Sequence, residues 1–205
     1  DIVAERFLRE KRNSDILAAI LGYALEARCG EGGTHMNGAG HLTKLLLLEL
    51  CKRTDRYALE PDDIELISTA AGLHDIGKVL IPESILKKPG KLTAAEFELV
   101  KQHTTLGARL VAEMPAYQNE ALVEYTIEIC LRHHERWNGE GYPDGLRGDE
   151  CPIAAQVTAR ADVYDALTTR RSYKSLLPRK SAGYDPRRGM RQLQSPAAGV
   201  PGRPF

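Results

Sequence analysis

The chain has 205 residues, 42% of them hydrophobic, enough for one domain with a substantial core. Lysine plus arginine equals aspartate plus glutamate at 28 each, so net charge gives no ground for a wholesale nucleic-acid or membrane binder. No apolar run approaches the roughly 18 residues of a membrane span, and no signal-peptide pattern opens the chain.

Charge is unevenly placed. Residues 178–205 carry six basic side chains and one acidic, a net of +5, which leaves −5 for residues 1–177. Cys29, Cys51, Cys130 and Cys151 are far apart and form no C-x-x-C pair, which fits reduced thiols in a cytoplasmic protein. The first residue is Asp1 rather than methionine, and a longer parent protein is expected.

Nearly every apolar segment has helical spacing, and no period-two run is convincing. Ile16, Ile20, Tyr23 and Ala27 define an opening helix that extends upstream and stops near Cys29, before the glycines around Glu31. Thr34 can cap a second helix through Leu45 to Leu48, although Gly38 and Gly40 weaken its start by roughly 1 kcal/mol each. Pro61, Asp62 and Asp63 form a helix-start signature, after which Ile64, Ile67, Ala71 and His74 follow one face. Pro82 and Pro89-Gly90 mark a loop in which Lys87, Lys88 and Lys91 read as solvated.

Thr93 and Glu96 then make a capping box, and Phe97, Val100, His103, Gly107 and Leu110 continue along one face. Asn119 can start the next helix, with Cys130 and His134 on one face and Ile129 and His133 on its neighbour. Residues 139–145 are a glycine-rich loop. A last helix follows from Pro152, with Val157, Ala161 and Tyr164 inward and Asp162 and Asp165 adjoining. Residues 178–205, rich in Pro, Gly, Arg and Ser, lack an apolar stripe and read as a disordered tail.

The chemistry gathers on histidine. His35, His74, His103, His133 and His134 all fall at helix ends or on inward faces; His41 reads as a surface residue or one just outside the ligands. Singly, each is more often a core or surface histidine than a ligand. Together with Asp75 and Asp162 they reverse that expectation, because burying so many imidazoles without a shared purpose costs free energy. His74 and Asp75 are neighbours whose side chains point about 100° apart, so they can grip one metal from two directions where a helix ends, and Gly77 suits such an ending. Ligation by His and Asp without cysteine favours Mn, Fe or Zn.

These residues lie in motifs that resemble a known family. LHDIGK at residues 73–78, KPGKLT at 88–93, His103, HHE at 133–135, GYP at 141–143 and ADVYDA at 161–166 occur in the order and at the separations of an HD-GYP domain. That family is the bacterial branch of the HD phosphohydrolases that cleaves the second messenger cyclic di-GMP. The resemblance covers residues 30–177 and implies an all-α fold, the HD-superfamily helical bundle with a polynuclear metal site among the helices. Residues 1–29 then become an N-terminal helical segment linking to an upstream sensor or receiver domain.

By position, the resemblance implies His35, His74, Asp75, His103, His133, His134 and Asp162 as metal ligands, with Glu31 available for a third ion. It places Lys78 beside the attacking hydroxide and the phosphate, Asp75 as the bridge between metals, and Arg171 and Lys174 on phosphate oxygens. Tyr142 matches the tyrosine of the GYP loop, expected at the substrate. The cofactors implied are two or three divalent ions, Fe or Mn first, with Zn, Mg or Ni also allowed. Two cations a few ångströms apart lower the pKa of a shared water. Arg171 suits a phosphate through its planar fork, whereas Lys174 acts as a point charge.

The sequence therefore predicts a metal-dependent phosphodiesterase hydrolysing cyclic di-GMP to pGpG, and to GMP if Glu31 recruits a third metal. The alternatives are a hydrolase of another cyclic dinucleotide and a non-catalytic module binding nucleotide or a partner. A diguanylate cyclase touching the GYP loop and a homodimer paired through the opening helix are the protein partners expected.

Overall fold

In the computed structural model, which describes residues 2–29 and 35–168, the chain is helical and forms no strand among those residues. Eight α-helices follow in order: α1 (Ile2–Cys29), α2 (His35–Cys51), α3 (Pro61–Ala71), α4 (Glu83–Leu86), α5 (Ala94–Lys101), α6 (His103–Ala112), α7 (Ala121–Arg132) and α8 (Ile153–Thr168). Short 3₁₀ turns join them, the important one being Ile76–Leu80. None of the described helices is long and apolar enough to cross a membrane.

Periodic apolar positions make these helices and bury them. Leu47 and Leu50 of α2 meet Ile64, Ile67 and Ala70 of α3, Ile129 of α7, and Ala154 and Val157 of α8 in one core. Each fully buried Leu or Ile there contributes about 1.5–3 kcal/mol. Because α3 and α7 pack side by side against α8, their C-terminal ends open near each other, and α6 starts beside them. Three helix ends therefore converge beside α8, which is where the histidines fall.

Local signals set several boundaries. Pro61 opens α3, and Asp63 accepts the main-chain N–H of Glu60 at 2.9 Å. At α5 the capping box forms as expected: Thr93 Oγ1 accepts the Glu96 N–H at 3.3 Å, and Glu96 accepts the Thr93 N–H at 2.7 Å. Lys88 also bonds Glu96 at 2.7 Å, so it belongs to this cap rather than to a solvated loop. The Lys88 hydrogen bond and then those from Thr93 lower the Glu96 carboxyl to about 2. Thr93→Ala is expected to cost about 1 kcal/mol, seen as a lower urea midpoint with an unchanged slope.

Other expectations need correction. The glycines Gly38 and Gly40 do not loosen α2, which is continuous from His35. A Cβ at 40 would lie 2.7 Å from the Ser68 carbonyl of α3, and one at 38 would lie 2.5 Å from an Asp165 carboxylate oxygen of α8. Small residues are what allow this close packing. The single face through 97–110 is broken at Gln102 into α5 and α6, and α5 buries no residue. Ile16, Ile20 and Tyr23 do lie in one opening helix, as expected, but they are 47%, 60% and 64% exposed, and α1 turns Gly22 and Leu25 inward. Tyr164 is exposed at 37%, because the last turns of α8 run past the core. The α7 cap is Glu120 rather than Asn119.

Candidate metal centre

Each site residue comes from a helix end or its edge. His74 and Asp75 occupy the turn after α3, Lys78 the following 3₁₀ turn, and His103 the first position of α6. His133 caps α7, His134 follows it, and Asp162 lies on α8. A helix end suits this task because consecutive residues leaving the helical path can face a common point. Gly77 does not terminate α3 as expected; the helix stops five residues earlier, at Gly72. It instead lets the 3₁₀ turn cross the main chain of α6, since a Cβ there would fall 1.9 Å from the His103 carbonyl oxygen.

The side chains converge on Asp75. One ligating atom from each of Asp75, His103, His133 and His134 lies within 4.8 Å of every other. Asp75 Oδ1 is 3.2 Å from His103 Nε2 and 3.9 Å from His133 Nε2. The other oxygen, Oδ2, is 3.3 Å from His74 Nε2 and 2.6 Å from Lys78 Nζ. His74 Nε2 is also 4.0 Å from Asp162 Oδ1. One carboxylate thus faces imidazoles on two sides. His74, His103 and His133 are almost wholly buried, and Asp75 is 6% exposed.

The outer contacts fix how the rings point. Nδ1 of His74 lies 2.7 Å from the Ala71 carbonyl, that of His103 2.6 Å from Val100, and that of His133 2.9 Å from Ile129. A carbonyl only accepts, so each Nδ1 donates, and in the neutral ring Nε2 is left with its lone pair toward the cluster. Asp75 Oδ1 is buried without a hydrogen-bond donor. A buried carboxylate oxygen with no donor, surrounded by imidazole lone pairs, is costly unless a cation completes it. The donor set therefore fits divalent metal ions.

Protonation follows the same geometry. Burial opposes ionisation of Asp75, but Lys78 and then His74 hold its carboxyl well below the usual range. Burial also works against a charge on His74, yet Asp75 and then Asp162 raise it to about 9. The opposite cluster is pushed the other way. Burial lowers His103; burial, then His134 and His74, push His133 well below its ordinary value; burial and then His103 take His134 to about 4. Neutral imidazoles and an ionised carboxylate are the forms a metal binds, so Asp75, His103, His133 and His134 are ready for an ion, whereas His74 must release a proton to join them.

Beside the cluster the GYP loop folds inward. The Tyr142 ring stacks on His134 with centroids 4.7 Å apart and 24° between planes, and Lys101 Nζ lies 5.3 Å from the Tyr142 centroid. Burial, then the charge of Asp75, raises the Tyr142 phenol. The loop is tied down by Glu135, whose carboxylate accepts the N–H groups of Asp144, Gly145 and Leu146 at 2.7, 3.0 and 3.0 Å. The sequence marks Glu135 as the acid of the HHE motif ahead of a glycine-rich loop but gives it no task. A cavity of about 450 Å³ adjoins His133, His134 and Asp162 and is lined also by Arg136, Trp137 and Arg160.

Of the remaining expected site residues, Glu31, Arg171 and Lys174 lie outside the described residues, and for His35 the description extends to its backbone as the first residue of α2. His41 is exposed, as expected.

Comparison with known proteins identifies the family. The sequence model of the HD domain family matches residues 33–184. A probable cyclic di-GMP phosphodiesterase of Vibrio cholerae is 43% identical over 175 residues, 83% of this chain and 40% of the relative. A cyclic di-GMP phosphodiesterase of Thermotoga maritima is 49% identical over 116 residues, covering 57% of this chain and 30% of the relative. The 3'3'-cGAMP-specific phosphodiesterase 2 of Vibrio cholerae is 39% identical over 165 residues, covering 80% and 29%. The chain thus spans 40% or less of the length of these relatives. With the HD pair, the HHE and GYP motifs and the buried cluster in one helical bundle, the chain belongs to the HD domain family, in its HD-GYP branch.

Proposed function

We propose that this chain is a metal-dependent phosphodiesterase that hydrolyses cyclic di-GMP to pGpG. The observation that carries the reading is Asp75, one buried carboxylate with an oxygen toward His74 and the other toward His103 and His133. Such a carboxylate suits two ions at once. His74, Asp75 and Asp162, with His35, would hold one; Asp75, His103, His133 and His134 would hold the other. Glu31 would add a third, which favours hydrolysis on to GMP. Fe or Mn suits this oxygen and imidazole set best.

The bound ions supply a nucleophilic water of lowered pKa and charge that offsets the phosphodiester. The protein's own residues do the rest. Lys78, whose side chain is 19% exposed and bonded to Asp75 at 2.6 Å, sits at the edge of the cluster as a fixed positive charge for a phosphate oxygen. Arg171 and Lys174, within the residues matched by the HD domain model, would take further phosphate oxygens. Tyr142 closes one side of the substrate site. The cavity beside Asp162, with Arg136, Trp137 and Arg160, has an aromatic ring and guanidinium groups for a nucleotide.

Residues 30–177 are taken as the catalytic unit. Four free thiols suit a cytoplasmic setting, and the exposed Ile16, Leu17 and Ile20 of α1 suit pairing of two chains or coupling to an upstream sensor domain. The second reading, hydrolysis of 3'3'-cGAMP, draws support from the 39% identical relative of that name.

The test is to purify the protein anaerobically, count metals per chain, and offer cyclic di-GMP and 3'3'-cGAMP in parallel while following pGpG and GMP. Faster turnover of cyclic di-GMP is expected. Faster turnover of cGAMP would replace the substrate and keep the reaction. No turnover of either by Mn- or Fe-loaded protein would refute the enzyme.

A further inference from the structure

Four imidazoles meet at the cluster, and three are aimed by the same device, an Nδ1–H held by a main-chain carbonyl. His134 differs. Its ring makes no hydrogen bond with any described residue. It lies instead against Tyr142, whose ring is 4.7 Å away and nearly parallel at 24°, with His133 4.2 Å away at 44°. The Tyr142 main-chain N–H also donates to the His134 carbonyl at 3.3 Å, so the two residues are pinned at both backbone and ring.

Tyr142 cannot hold that place alone, because it sits in a loop between two glycines and a proline. The anchor is Glu135, buried at 6% exposure directly after His134. Its carboxylate gathers three consecutive main-chain N–H groups, from Asp144, Gly145 and Leu146, and so folds the loop back over the chain it left. The fold-back requires Gly141, where a Cβ would lie 2.4 Å from both Glu135 Cα and Arg136 N.

We propose that Tyr142, clamped by Glu135, is a positioning residue that orients His134 for metal binding, replacing with a stacked ring the carbonyl that orients the other three histidines. This rests on the metal-centre reading above. It assigns the tyrosine a task at the metal that is separate from any contact with substrate. Outer partners of a metal-binding histidine typically change metal affinity by about 10–100-fold when removed, and an effect of that size is expected here.

The experiment titrates the metal-free full chain with Co²⁺, reading affinity and the visible spectrum, which reports the ligands around the ion. Tyr142→Phe keeps the ring and is expected to bind as the unaltered protein does. Tyr142→Leu removes the stack and is expected to weaken one cobalt site by roughly 10–100-fold with an altered spectrum. Glu135→Gln is expected to do the same, and the double variant to be no worse than either single one, because both act through one contact.

Wild-type cobalt affinity and spectrum in Tyr142→Leu, whatever its melting temperature, would overturn the proposal. So would effects of Glu135→Gln and Tyr142→Leu that multiply. Should Glu135→Gln fail to fold, the contrast between Tyr142→Phe and Tyr142→Leu still decides the role of the ring. Unaltered protein that binds no cobalt overturns the metal centre itself. Protein that binds cobalt with the predicted pattern but leaves cyclic di-GMP intact overturns only the substrate and upholds this role.

Discussion

Asp75→Ala is expected to lose its bound metal and its turnover together. Activity should fall at least about a thousandfold, equivalent to about 4 kcal/mol of transition-state stabilisation. The reason is position rather than charge alone. Asp75 faces both His74 and the His103–His133 pair, at 3.3, 3.2 and 3.9 Å. Its removal takes a ligand from each proposed ion and leaves Lys78 without the carboxylate that anchors it at 2.6 Å. The variant also has a signature in the metal-free protein. Asp75 is the largest influence raising His74 to about 9 against the effect of burial, so the His74 imidazole should titrate at markedly lower pH, measurable by NMR. Metal counting beside the assay separates the possibilities: an inactive Asp75→Ala that kept every ion would show that the carboxylate is not a ligand.

Gly77→Ala is expected to be the most damaging glycine-to-alanine change among the described residues, costing roughly 3 kcal/mol or more. On helix propensity alone the change should help by up to about 1 kcal/mol, so the sign of the result tests the packing argument. The added Cβ would stand 1.9 Å from the His103 carbonyl oxygen and 2.5 Å from the Gly107 amide nitrogen. Both are main-chain atoms and cannot rotate aside. The 3₁₀ turn and α6 must therefore separate by an ångström or more, and that separation pulls His103 from Asp75, which now lie 3.2 Å apart. A lowered urea midpoint and melting temperature should accompany weaker metal binding. A variant as stable as the parent would mean that this crossing is looser than described.

These two positions mark different depths of legibility. His74 and Asp75 stand out in the sequence because an adjacent imidazole and carboxylate, repeated in kind by His133-His134, have few uses besides a metal. The capping box of Thr93 and Glu96 and the start of α3 at Pro61 are equally readable, since each is settled by hydrogen bonds within four residues. Gly77 sits inside the same motif, yet its task depends on the main chain of residues 103–107, some 30 positions away. Glu135 is likewise conspicuous and unreadable: an acid beside two histidines could be a ligand, a base or a surface charge until its three N–H partners are seen. The break between α5 and α6 at Gln102 has no sequence feature that accounts for it.

The sequence by itself determined the all-α class, the starts of α3 and α5, and the inventory of imidazoles and carboxylates, because helical period, caps and ligand chemistry are properties of short stretches. Only the tertiary structure decided which oxygen of Asp75 faces which histidine, that Gly40 and Gly77 serve close backbone crossings, and that Tyr142 lies on His134. Those are distances between segments far apart in the chain, set by how the ends of α3, α6 and α7 are packed beside α8, and no local pattern records them.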